Sequence, residues 1–118
     1  MILHRAVPNL TAADPSTGHG FYTDYLGLRV DFDLGWVTSF RSPTNRHVQL
    51  SLVGRDATAP ENAQVSIGVA DVDAAYAEAV ERGYEIVHPL TVEPWGVRRF
   101  LVRAPDGNVV NIVGHRDD

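Results

Sequence analysis

At 118 residues, with 44% apolar and 21% charged side chains, the chain has ordinary globular composition and room for one domain core. The absence of cysteine removes disulfides, thiolate metal sites and a cysteine nucleophile. A formal charge of −5 lacks the clustered positive field that a nucleic-acid partner requires. The start, Met-Ile-Leu-His-Arg, has no signal pattern, and no apolar run approaches the roughly 18 residues of a membrane span. A soluble, cytoplasmic protein with neither membrane nor nucleic acid as partner is the expectation.

In chain order, residues 3–10 read as a strand. Asp14 is an N-cap, with Pro15 at the first helical position and Gly27 as the stop, so a helix is expected between them. Gly18 and Gly20 weaken it by about 1 kcal/mol each, and Phe21, Tyr22, Tyr25 and Leu26 must anchor it by packing. Two strands follow, at about 28–33 and 36–41. Beyond the Pro43 turn a further strand alternates Val48, Leu50 and Leu52 with a second set containing Gln49, on opposite faces. Residues 54–62 form a polar, turn-rich joint.

The pattern then recurs. A strand at about 63–70 leads to Asp71, which caps a helix ended by Gly83. In it Val72, Ala75, Tyr76, Ala79 and Val80 form an apolar stripe, and Glu78 and Arg82 pair across one turn. Strands at about 84–89 and 97–103 precede the Pro105 turn and a last strand with Val110 and Ile112 on one face and Asn111 on the other. The segment Arg41 to Leu50 matches Arg103 to Ile112, with Pro43–Gln49 and Pro105–Asn111 equally spaced. The chain is therefore expected to be α+β, with two βαβββ modules. Curved mixed or antiparallel sheets would surround a concave cleft, with helices on the outer face.

Several stretches carry a family likeness. Pro8-Asn-Leu10, Asp14 followed by Phe21-Tyr22 and Leu26-Gly27, Asp71-Val-Asp-Ala-Ala-Tyr76 up to Gly83, Pro94-Trp-Gly96 and Pro105-Asp-Gly-Asn108 occur in a fixed order. Together they resemble the vicinal oxygen chelate superfamily of glyoxalases, bleomycin-resistance proteins and dioxygenases. The resemblance spans the chain and implies a single domain of residues 1–118, with repeats of about 1–56 and 62–118. It also implies four inward positions, one on the first and last strand of each repeat, where metal enzymes of the superfamily place His, Glu or Gln. Here they map to Val7, Gln49, Gln64 and Asn111. Valine has no lone pair to give, and three neutral amides bring no negative charge to a divalent ion. No metal and no other cofactor is therefore expected.

Of the histidines, His4 falls on the face opposite Val7, His47 lies near a strand start and His115 follows the last strand. His19 and His88 read as surface positions, and Glu93 as an exposed turn residue. No catalytic residue is assigned, because no nucleophile elbow or phosphate loop is present. The amides of Gln49, Gln64 and Asn111 either pair with one another or orient a neutral polar ligand. Trp36 and Trp95, in corresponding hairpins, offer stacking surface that Phe40 extends; alternatively both are core or interface residues. Which of Arg98 and Arg99 faces the cleft is open. Pro8-Asn-Leu10 and Gly35-Trp36 are especially similar to the bleomycin-resistance branch, whose members hold flat antibiotics in clefts between two subunits. That likeness implies a non-catalytic homodimer sequestering an aromatic small molecule. The alternative is a metal-dependent lyase, isomerase or dioxygenase with atypical ligands, and a third reading is a structural or regulatory dimer with a filled, ligand-free cavity.

Overall fold

The computed structural model describes residues 1–18 and 20–115; His19 lies outside the described residues. Among the described residues eight strands and two helical regions follow the duplicated order, and the fold is α+β. The chain divides into two compact units. One holds Val7–Ala57, and the other joins Met1–Ala6 to the chain from Thr58 onward. Strand β1, Leu3–Thr11, changes unit between Ala6 and Val7.

In the Val7–Ala57 unit, β2 (Arg29–Asp33), β3 (Val37–Arg41) and β4 (Gln49–Val53) are antiparallel neighbours. The end of β1 lies parallel to β4, Asn9 opposite Ser51. The expected first helix is absent as a continuous α-helix. A 3-10 turn at Pro15–Gly18 gives way to a π-turn at Gly20–Tyr25, where Leu26 N–H reaches Phe21 O at 3.0 Å. Asp14 does act as a cap, but it closes on Ser16, with Oδ1 accepting from the Ser16 amide and hydroxyl at 3.0 and 2.7 Å. Gly18 sits at a close approach. A Cβ on Gly18 would lie 2.3 Å from Leu52 Cδ1, so only glycine lets this turn press onto β4. Leu28, Phe40 and Leu52 form the buried core, with Tyr22 stacked 5.3 Å from Phe40.

In the other unit, β5 (Val65–Val69) leads to α1 (Val72–Glu81), then to β6 (Glu85–Val92), β7 (Val97–Arg103) and β8 (Val109–His115). The pair β5/β8 is parallel, while β6/β7 and β7/β8 are antiparallel. Each module is thus mixed, since its first and last strands run side by side in one direction. The Ala70 amide donates to Ile2 O at 3.1 Å and ties the N-terminal stretch to the end of β5.

Helix α1 forms as its sequence requires. Asp71 Oδ1 accepts from Ala74 N–H at 3.0 Å, and Gly83, at φ +75°, ends the helix. Gly83 and Tyr84 donate back to Val80 and Ala79, closing the paired C-terminal hydrogen bonds of a Schellman motif. Val72, Ala75 and Ala79 are buried on Val69, Phe100 and Ile112, and Tyr76 meets Phe100 edge-on at 5.0 Å. Val80, expected in the same stripe, is 53% exposed. Glu78 and Arg82 pair at 2.8 Å. Among the described residues no helix is long and apolar enough to cross a membrane.

The joint between the repeats is less of a linker than its composition suggests. Ala59 and Ala63 are buried against Leu101 and Val109, and Glu61 pairs with Arg103. Residues 59–63 therefore cover part of the β7–β8 surface on the side away from α1.

Candidate functional site

The side of the second unit that faces away from α1 can be read from the strand registers. Phe100 and Ile112 pair across β7/β8 and pack under the helix, so their neighbours Leu101 and Asn111, also paired, point the other way. Ser66, opposite Asn111, shares that face. Arg98 and Arg99 separate accordingly. Arg98 turns to the helix and pairs with Asp73 at 2.7 Å, whereas Arg99 enters the opposite face and is 3% exposed.

Arg99 belongs to a buried network. Its Nε donates to Glu93 Oε2 at 2.6 Å and its Nη2 to Thr58 Oγ1 at 2.9 Å. Thr58 Oγ1 in turn donates to Glu93 Oε2 at 2.7 Å, and His88 Nε2 lies 3.1 Å from the same oxygen. Burial alone would raise the pKa of Glu93. Hydrogen bonds from Thr58 and Arg99, the Arg99 charge and the bond with His88 outweigh burial and hold it below the ordinary carboxyl value. An ionised carboxylate only accepts, so His88 carries its proton on Nε2. The guanidinium of Arg99 lies over the ring of Trp95, 5.1 Å from its centroid.

Three expectations are corrected here. Glu93 is buried (3% exposed) because its amide bonds Val97 O and extends the β6–β7 hairpin, turning the side chain inward. His88 is no surface residue; its side chain is 12% exposed. His115 is the last residue of β8 and does not follow it. The network escaped sequence reasoning because β6 is irregular. Register shifts between Ile86 and His88 and between His88 and Thr91 break the alternation that assigns faces.

The four positions singled out by resemblance are individually occupied. Val7 is buried. Gln49 Nε2 closes its own turn by donating to Arg46 O at 2.9 Å. Gln64 Oε1 accepts from Val109 N–H at 2.6 Å, while its backbone amide bonds Val109 O at 2.9 Å, so it extends the β5/β8 ladder. Asn111 Nδ2 donates to Ser66 Oγ at 3.0 Å, and Oδ1 is buried without a partner among the described residues.

Asn9 and Ser66 each stand five residues before a capping aspartate, and their strand partners are Ser51 and Asn111. Across the neighbouring strands Phe40 faces Leu50 and Phe100 faces Ile112, which keeps Gln49 in the place of Asn111. The Pro43 turn is longer, closed by Ser42 N–H to Val48 O, where the Pro105 turn is closed by Ala104 N–H to Asn108 O. A divalent ion does not fit this set. The positions offer an aliphatic side chain and three neutral amides, of which the Gln64 oxygen is already bonded to the backbone, with no anionic oxygen. Among the described residues no group of three or more His, Cys, Asp or Glu side chains is placed to hold one.

Phe40, expected as ligand surface, has no exposed area and serves the core beneath Tyr22. Trp36 is half-buried in the β2–β3 turn, its carbonyl accepting from Gly54 N–H at 2.9 Å, and Trp95 occupies the matching turn of β6–β7. His4 is exposed on β1, and His47 is exposed in the turn before β4. Arg5 was not anticipated. Its stem lies against Gly68, where a Cβ would come within 2.9 Å of Arg5 Cγ, so the glycine makes room for a cation beside β5.

Known proteins share this fold. The chain is similar to a glyoxalase/bleomycin resistance protein/dioxygenase superfamily member from Vibrio splendidus (22% identity, TM-score 0.69, covering 95% of this chain and 98% of that one). It is also similar to methylmalonyl-CoA epimerase from Streptomyces coelicolor (16% identity, TM-score 0.73, covering 98% and 96%). Homoprotocatechuate 2,3-dioxygenase from Brevibacterium fuscum matches at 25% identity and TM-score 0.70, over 97% of this chain and 33% of that one. Among curated proteins no sequence matches. The sequence profile of one family matches residues 2–112, nearly the whole chain. The protein belongs to the Glyoxalase/Bleomycin resistance protein/Dioxygenase superfamily.

Proposed function

We propose that this superfamily member is a metal-free, small-molecule-binding protein that sequesters an aromatic or otherwise flat ligand, such as an antibiotic, as a cytoplasmic homodimer. The observation that carries the reading is Asn111. Its Oδ1 is a buried acceptor that no donor among the described residues satisfies, on the same face as Ser66 and Arg99. An N–H or O–H of a bound molecule would recover the roughly 1–3 kcal/mol that such an atom costs unpaired. Trp95, half-buried and backed by Arg99, supplies a stacking surface held in place by a fixed cation. Exposed Phe21, Tyr25 and Leu26 offer apolar area for a second copy.

The test is a thermal-shift screen of aromatic antibiotics and divalent metals, because a ligand of the native state raises its melting temperature. A shift from an aromatic compound that Trp95→Ala abolishes supports the proposal. Stoichiometric divalent metal in protein purified without chelator would overturn it in favour of a metal-dependent lyase, isomerase or dioxygenase. The buried His88–Glu93 pair favours a different second reading, an enzyme using acid–base chemistry without metal. Turnover of a bound compound, lost in Glu93→Gln, would establish that reading.

A further inference from the structure

All ten basic residues outside histidine are arginines, and three of them, Arg29, Arg41 and Arg46, line one pocket of the Val7–Ala57 unit. It has a volume of about 510 Å³, within the range of small-molecule sites. The start of β2, the end of β3 and the Pro43 turn form its walls. Only Val30 and Pro43 contribute apolar side chains. Arg41 pairs with Asp31 at 3.0 Å and is held by it. Among the described residues neither Arg29 nor Arg46 has an ion-pair partner.

This is an unusual place to concentrate cations. The chain carries a net −5, whereas the lining of this cavity holds three arginines and one aspartate. Their chemistry is specific as well. A guanidinium presents a rigid fork of N–H donors that meets a phosphate or carboxylate two bonds at a time. The hydroxyls of Ser42 and Thr44, 3.2 Å apart at the mouth of the turn, add neutral donors between the charged ones. An extended nucleic acid would need a basic stripe, and here Asp31 and Asp33 punctuate β2.

We propose that this pocket is a second binding site, for a small polyanion of the phosphate-ester or pyrophosphate class. Arg29 and Arg46 grip the anion, and Asp31 holds Arg41 in position while limiting the affinity. The inference rests on the Val7–Ala57 unit alone and does not depend on the ligand proposed for the other unit.

The experiment is an NMR titration of ¹⁵N-labelled protein with sodium pyrophosphate at low ionic strength, against sodium chloride of equal ionic strength. Saturable shifts confined to the amides around residues 29–31 and 41–46 are expected. Arg29→Gln/Arg46→Gln should weaken binding at least tenfold, with an unchanged spectrum elsewhere reporting an intact fold, and Asp31→Asn should tighten it. Non-saturating shifts, shifts spread across the chain, or equal affinity in the double variant would overturn the assignment. A reproduction of the shifts by chloride would do the same.

Discussion

Arg99 Nε and Glu93 Oε2 meet at 2.6 Å with their side chains 4% and 1% exposed, and this pair organises the face of the second unit that turns away from α1. A charge pair so far from water survives because each group has further partners. Thr58 bridges the two, and His88 supplies another donor to the carboxylate. The network also ties Thr58 to the β6–β7 hairpin of the same unit.

Glu93→Gln leaves a buried guanidinium facing a neutral amide and is expected to cost about 3 kcal/mol of stability. The double variant Glu93→Gln/Arg99→Met should cost clearly less than the two single changes summed. Urea unfolding of the four proteins measures the coupling, and strict additivity would show that the pair contributes nothing.

The same carboxylate makes stability depend on pH. Its pKa is lowered in the folded protein, so its stabilising contribution is complete above the unfolded value of about 4.3. The contribution fades as pH falls through the lower folded value. Unfolding free energy measured from pH 6 down to pH 3 should therefore drop more steeply in the native protein than in Glu93→Gln. Parallel curves would mean that another group governs the acid limb.

Asn111→Leu removes the unpaired Oδ1 and also the bond to Ser66. Relief of one orphaned acceptor offsets the loss of one hydrogen bond, so stability should change by less than about 1 kcal/mol. Any ligand bound through this amide should lose at least tenfold in affinity. A near-native melting temperature with abolished ligand shift is the expected pattern in differential scanning fluorimetry.

Gly18→Ala places a methyl group against buried Leu52 and is expected to destabilise by about 1–3 kcal/mol, although alanine is the better helix former. Leu52→Ala makes space for it, so adding Gly18→Ala to that background should cost little or nothing. Thermal unfolding of the two pairs tests whether contact, and not backbone freedom, keeps glycine there.

Much of this protein was legible along the chain because the deciding forces are local. Asp71 and Gly83 bound α1 through bonds made within one turn of its ends, and the duplicated order of strands and helical regions follows from hydrophobic period and turn residues. Local chemistry was less reliable elsewhere. Asp14 caps a turn, but the segment after it runs as a 3-10 turn and a π-turn and not as one α-helix. The candidate site depended most on the third dimension. Thr58, His88, Glu93 and Arg99 are polar residues without a motif, and bulges in β6 with the folding-back of the 59–63 segment bring them together. Periodicity reports which face a regular strand buries; it carries no information about where an irregular one turns, or about what distant segment comes to rest on it.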